Sequence, residues 1–227
     1  MKKNRESDLP LDKFIEFALY DKDTGYYMKK NPFGKEGDFV TAPNITRLFS
    51  EIIAIWIITF WKSIGSPKKF NLLELGAGNG EMMRVIIETL KNFPECFNNC
   101  NFQIHEKSTF LKNQQKKNLK SDEVTWIENI NKINLYPTIF LANEFFDALP
   151  IKQFFKKKNY WFEKFVDLKD THKAEFKDHI SDIKKIEKKL NFEISKNQDI
   201  IEYSPVSFKY LSDICTIIKN NDGGILI

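Results

Sequence analysis

The sequence predicts an α/β fold: a mostly parallel sheet with helices on both faces. Three observations predict it. From Phe70 onward, short apolar runs alternate with helical stretches, the pattern of strands buried on both sides. Three of the nine glycines fall within Gly76–Gly80, between an apolar run and a helix, where backbone must turn sharply or approach a ligand closely. The 227 residues, 42% hydrophobic and 29% charged, suffice for a sizeable core and are too apolar for a disordered chain.

Taken in order, residues 9–20 predict an amphipathic helix, with Leu11, Phe14, Ile15, Ala18 and Leu19 on one stripe. Residues 21–43, rich in Gly and Pro, predict a loop. Asn44 is a candidate N-cap for an apolar helix reaching about Ser63. Strands are expected at 70–75, 102–105, 124–127 and 138–142, with helices at 81–92 and 108–119 between them. Residues 145–149 predict a turn or short helix, limited by Pro150. Residues 151–168 predict a β-hairpin inserted into the fold, and the lysine-rich 172–190 a helix. Residues 206–219 predict a helix after Pro205, and 225–227 begin a strand. The expected organisation is an N-terminal helical and lid region at 1–66, then the sheet domain at 67–227 with an insertion at about 151–200.

Composition excludes several functions. The net charge is +4, but only Arg5, Arg47 and Arg84 among 35 basic residues are arginine. Specific base and phosphate readout favours arginine forks, so the lysine runs read as solvated faces and no nucleic-acid partner is expected. The apolar run from Ile52 to Trp61 is half of the ~20 residues that a membrane span needs, so no membrane insertion is expected. Residues 1–10 are polar and lack a signal core, which makes the cytoplasm the expected compartment. Cys96, Cys100 and Cys215, with three scattered histidines, provide no metal-ligand spacing and no disulfide framework.

The glycine turn carries the chemistry. Glu74-Leu-Gly76-Ala-Gly78-Asn-Gly80 lacks the third glycine spacing of a dinucleotide fingerprint, since Glu81 stands there. A carboxylate at that helix start opposes a pyrophosphate, and no Gly-Lys-Ser/Thr follows. A tight turn with nothing bound is the plainer reading. The pattern Glu-x-Gly-x-Gly-x-Gly resembles the first motif of class I S-adenosylmethionine-dependent methyltransferases, whose cofactor has no phosphate. Glu106 ends the next strand, where a carboxylate can accept both hydroxyls of a ribose; a solvated strand-end glutamate is the alternative.

Further blocks narrow the resemblance. Thr24-Gly-Tyr-Tyr-Met28, Gly37-Asp-Phe-Val-Thr-Ala-Pro43, Leu48-Phe-Ser-Glu51, Asn143-Glu-Phe-Phe-Asp-Ala-Leu-Pro150 and Ile201-Glu-Tyr-Ser-Pro205 resemble, with the glycine motif, the MidA family of class I methyltransferases. The likeness runs from about Leu9 to Ile227. It implies a Rossmann-like sheet, S-adenosylmethionine as cofactor, and methylation of an arginine on a core subunit of respiratory complex I. Two positions depart from the family, which usually has Glu at Asn44 and Gly at Ser50. The family also continues beyond Gly-Gly-x-Leu-x-Ile, so the resemblance implies a C-terminally truncated chain whose sheet lacks its last strands. It leaves open an inactive cofactor-binding assembly factor, a fragment of a split gene completed by a C-terminal partner fragment, and a homo-oligomer.

Site roles follow from this likeness. Thr41 and Pro43, in a lid over residues 37–43 lined by Tyr26, Tyr27 and Phe33, with Glu74, Gly76, Gly78, Gly80, Glu106 and Ile127, are the candidate cofactor residues. Trp126 and Ile127 stand either beside an adenine or in the core. Arginine as acceptor needs carboxylates in fork geometry. Glu144, Asp147 and Asn143 are the candidates at the end of the fourth strand; Glu144 and Asp147 face one way if their turn is helical. The other reading has Asp147 capping a helix and Glu144 paired with a lysine. Glu202 is a lesser candidate for the acceptor side.

Overall fold

A computed structural model describes residues 8–29, 32, 37–119, 123–170 and 173–227. In chain order the elements are β1 (Asp8–Pro10), α1 (Leu11–Tyr20), α2 (Tyr26–Lys29), α3 (Ala42–Ile45), α4 (Arg47–Ser63), β2 (Phe70–Leu75), α5 (Glu81–Leu90), α6 (Pro94–Asn98), β3 (Cys100–His105), α7 (Thr109–Asn118), β4 (Val124–Ile127), β5 (Thr138–Leu141), β6 (Lys152–Lys157), β7 (Tyr160–Asp170), β8 (Lys173–Ile180), α8 (Ile183–Leu190), β9 (Ile200–Tyr203), α9 (Pro205–Asn221) and β10 (Gly223–Leu226). Among the described residues, no helix is long and apolar enough to cross a membrane.

The chain forms two compact units. Of the described residues, one unit comprises those within 20–148 and 210–227, the other those within 8–19 and 149–209. They cut the chain elsewhere than the expected boundary at 66/67. Helix α4 belongs with the parallel sheet, and residues 8–19 belong with the segment expected as an insertion.

The first unit holds a parallel sheet in the order β10-β5-β2-β3-β4. Every residue of β2 and of β5 is buried, because helices cover both faces. Alternate β2 side chains serve opposite cores. Phe70 and Leu72 join Ala54, Ile57 and Trp61 of α4 and Met83 and Ile86 of α5. Leu73 and Leu75 join Phe140 and Ile214 and Ile217 of α9. This is the three-layer α/β architecture that the alternation predicts.

Local outcomes differ from expectation in two places here. Asn44 caps nothing: a short α3 precedes α4, and Thr46 is the cap, its side chain accepting from the Leu48 N–H. Of the turn or short helix expected at 145–149, the chain forms the turn. Strand β10 begins at Gly223, whose φ of +129° suits glycine.

The second unit is an antiparallel sheet. β7 pairs β1, β6 and β8, and β9 adds to β6. The β6–β7 hairpin is the one expected. The lysine-rich segment expected as a helix at 172–190 is instead β8 followed by α8; His172 lies outside the described residues. Phe154, Ile183, Ile201 and Tyr203 make a one-sided core, so β9 alternates exposed and buried residues.

Candidate functional site

The candidate cofactor residues, with Asn143, Glu144 and Asp147, lie in the parallel-sheet unit. Glu74, the three glycines, Glu106, Ile127 and the 143–147 turn stand at or near the carboxyl ends of β2, β3, β4 and β5, where ligands of open α/β sheets gather, whereas Thr41 and Pro43 stand at α3, before α4. Gly76, Gly78 and Gly80 take φ of +66°, +53° and +84°, a conformation that other residues adopt at a cost. Closeness matters as well. A Cβ on Gly76 would stand 2.8 Å from the Phe145 ring, and one on Gly80 3.2 Å from Leu119. The loop is tied down from both sides: the Gly76 N–H donates to His105 O (2.9 Å), and Gln115 Nε2 donates to Gly78 O (2.9 Å).

Two carboxyls frame this loop. Glu74, next to last in β2, is buried, and its Oε2 has no hydrogen-bond partner among the described residues. Burial, with the Glu106 charge second, pushes its carboxyl up to about 8, so it is protonated at neutral pH. Glu106 follows β3 and is also buried; burial raises it, against the opposing pull of hydrogen bonds from Ser108 and Gln115. Its Oε1 accepts from the Ser108 N–H (2.8 Å) and its Oε2 from Gln115 Nε2 (3.1 Å). The solvated strand-end reading of Glu106 does not describe this carboxyl.

Gln115 was not singled out by motif, yet it is fully buried and joins three elements. Its Nε2 serves Gly78 and Glu106, while its Oε1 accepts from Trp126 Nε1 at 2.8 Å. The available signal was its spacing: Gln115 sits four residues from both Leu111 and Leu119, an amide on the buried stripe of an otherwise polar helix. Trp126 packs against the core and Ile127 against the opposite one, while the Ile127 carbonyl faces His105 Nδ1 at 3.1 Å.

The segment before α4 reaches the loop through Asn44. Its Oδ1 accepts from Asn79 Nδ2 (2.9 Å), and its Nδ2 donates to Thr41 Oγ1 (2.9 Å). Pro43 is buried in the first turn of α3. A neutral amide thus serves, by donating one bond and accepting another, where the family's usual glutamate could only accept when ionised. Tyr26 and Tyr27 pack edge to face at 5.3 Å, and Tyr26 against Phe39 at 6.2 Å; Phe33 lies outside the described residues. Glu81, which opposes a pyrophosphate at the start of α5, is held by Arg84 at 2.5 and 3.0 Å.

Beyond β5, Asn143 is half-buried, and Glu144 and Asp147 are exposed. Their turn is not helical, so helical spacing does not align the two carboxylates. Glu144 instead takes φ +50°, an uncommon strain for a non-glycine that concentrates at functional sites. Asp147 helps to raise the Tyr27 phenol, after burial. Glu202 belongs to the other unit, where its carboxylate accepts from Gln153 at 3.2 Å.

These residues fit S-adenosylmethionine as a group to be held. A Cβ in the cradle would meet neighbours at 2.8–3.2 Å, the buried Glu74 carboxyl near the end of β2 has an oxygen without a partner among the described residues, and a second carboxyl, Glu106, follows the adjacent strand. No lysine or arginine donor serves a phosphate among these contacts.

Comparison with known proteins agrees. Residues 52–227 match the family described as "Putative S-adenosyl-L-methionine-dependent methyltransferase". The mitochondrial protein arginine methyltransferase NDUFAF7 homolog of Drosophila melanogaster is 29% identical over 191 residues, covering 74% of this chain and 43% of that protein. NDUFAF7 of Xenopus tropicalis is 30% identical over 184 residues (70% and 43%), and that of Homo sapiens 28% over 179 residues (68% and 41%). The chain spans about two fifths of these relatives' length. A Burkholderia thailandensis protein crystallised with S-adenosyl-homocysteine shares the fold, with a TM-score of 0.77 at 21% identity over 93% of this chain and 56% of that one. By its glycine loop, by its parallel sheet and by a match over most of its length, the chain belongs to this family of S-adenosylmethionine-dependent methyltransferases.

Proposed function

We propose that this chain binds S-adenosylmethionine and acts in methyl transfer to an arginine of a protein, with a complex I core subunit as the candidate acceptor. The observation that supports this most is the cradle of three left-handed glycines between the buried carboxyls of Glu74 and Glu106.

When bound, the cofactor supplies a methyl group on a cationic sulfur, open to in-line displacement. The chain's own part is to bind, orient and exclude water. Gly76, Gly78 and Gly80 give the close approach. Glu106, oriented by Ser108 and Gln115, keeps lone pairs for a ribose diol. Glu74, neutral at pH 7, can donate a hydrogen bond from its buried carboxyl. Thr41 and Pro43 form part of the cover, and Ile127 part of the wall. Glu144 offers a carboxylate that pairs with a guanidinium and can take the proton that nitrogen loses on methylation; Asn143 and Asp147 assist in orienting it.

Calorimetry with S-adenosylhomocysteine tests the cofactor half. Glu106→Gln is expected to weaken binding by about tenfold, since hydrogen bonds to a charged group contribute ~1.5–3 kcal/mol, with little change in melting temperature. Affinity unchanged in that variant overturns the assignment. Transfer of labelled methyl from S-adenosylmethionine to a complex I subunit preparation tests the acceptor half. Intact cofactor binding with no arginine labelling rejects it.

A further inference from the structure

We infer that His105 and Tyr210 form a positioning pair that holds Phe145 over the glycine loop and, with it, the strained backbone of Glu144. The inference rests on the cofactor reading above.

Contacts close into a ring. The His105 carbonyl accepts from the Gly76 N–H at 2.9 Å. Its Nδ1 lies 3.1 Å from the Ile127 carbonyl, and its Nε2 lies 2.8 Å from the Tyr210 hydroxyl. A carbonyl can only accept, so Nδ1 carries the proton; in a neutral imidazole Nε2 must then accept, and the Tyr210 O–H donates. Burial lowers the His105 pKa, which keeps the ring neutral. The Tyr210 ring meets Phe145 edge to face, 5.1 Å between centroids at 85°. Phe145 returns to the start, its ring within 2.8 Å of where a Cβ on Gly76 would stand.

The ring links the turn after β2, the ends of β3 and β4, the turn after β5, and α9. Phe145 follows Glu144, whose φ of +50° persists only where neighbours over-determine it. Packing alone needs no hydroxyl and no imidazole at this place. A buried hydrogen bond adds direction, because it sets the rotation of both rings and so the edge that Tyr210 presents to Phe145. The pair meets the acceptor turn through the Tyr210–Phe145 ring contact, so each is a positioning residue.

The test titrates S-adenosylhomocysteine into the full chain, into Tyr210→Phe, into His105→Gln and into the double variant, with the exposed Tyr160→Phe as control. Tyr210→Phe keeps the ring contact and loses the bond, and is expected to weaken affinity about fivefold, the size of one buried hydrogen bond, with little change in melting temperature. His105→Gln retains an acceptor and is expected to lose less. In the double variant the two losses are expected to be non-additive. Tyr210→Phe binding like the unaltered chain, or strictly additive losses, overturns the pair. If Tyr210→Phe does not fold, nitrogen-15 spectra of the unaltered chain decide: an accepting Nε2 whose signal shifts on adding S-adenosylhomocysteine supports the pair, and one that ignores it overturns it. An unaltered chain that does not bind overturns the cofactor reading together with the inference. Binding kept equally by all variants overturns the inference alone.

Discussion

The two sheets of this protein treat charge in opposite ways. In the antiparallel unit, the ionisable groups that the contacts involve are paired at or near the surface. Lys152 bridges Glu163 at 2.6 Å and Asp12 at 3.1 Å; Asp178 holds Lys157 at 2.7 Å and Lys164 at 2.8 Å; His179 meets Asp8 at 2.9 Å. The parallel unit has surface pairs too, such as Arg84 with Glu81, but Glu74, His105 and Glu106 are buried near strand ends with no counter-charge in contact among the described residues. Burying a carboxyl without a cation raises its pKa and costs stability when it ionises. Paired charges stabilise a fold locally; isolated buried ones do so poorly and are retained where they serve a ligand. The comparison therefore supports the parallel unit as the seat of the proposed site, independently of any motif.

The largest expected effect tests the parallel sheet itself. A Cβ on Gly223 would stand 2.0 Å from Thr138 O, at a φ of +129°. Gly223→Ala is expected to cost ~3 kcal/mol or more in urea unfolding, the range of strain and overpacking combined. A cost below ~1 kcal/mol would mean that β10 can shift its register on β5.

The next test concerns the unpaired carboxyl. Glu74 has a folded pKa of about 8 against an ordinary 4.5. The folded state holds that proton more tightly, so its contribution is fully present below pH 4.5 and is lost as pH rises through 8. Glu74→Gln removes this dependence. Relative to the unaltered chain, the variant is expected to gain on the order of 2 kcal/mol or more between pH 5 and 8.5 in denaturant titrations. Parallel pH curves for the two proteins would erase the contrast between the sheets.

A smaller effect is expected where charges are paired. Lys152→Met leaves Asp12 and Glu163 facing each other half-buried, and is expected to cost ~1–2 kcal/mol while S-adenosylhomocysteine affinity stays unchanged by calorimetry. A changed affinity would mean that the antiparallel unit shares in binding. The smallest is Lys157→Ala, whose exposed pair with Asp178 is expected to contribute ~0.5 kcal/mol or less.

Much of the fold was legible because periodicity and turn chemistry are local. The strands at 70–75, 124–127 and 138–141 and the strand-to-helix glycine turn stand where the residues predict them. Residues 173–180 were not legible as a strand. Lys173 and Lys177 stand four apart there, as on a helix face, and it is pairing with β7 that extends the chain, a case of tertiary context overriding propensity. Asn44 looks like a cap by residue type, yet Thr46 caps α4 and Asn44 bonds Asn79, thirty-five residues away.

At the candidate site the division is similar. Residue type and spacing singled out Glu74, the glycines and Glu106 as candidates, because a strand end followed by a left-handed turn is encoded within a few positions. Gln115, Tyr210 and the partner of His105 came only from the tertiary structure, since their contacts join residues 9 to 105 positions apart. Sequence by itself determined which backbone could turn and which strands would be buried on both faces, since sterics and hydrophobic pattern act locally. Only the tertiary structure decided which polar groups are left in the dark without a counter-charge, because burial and pairing are properties of the packed whole.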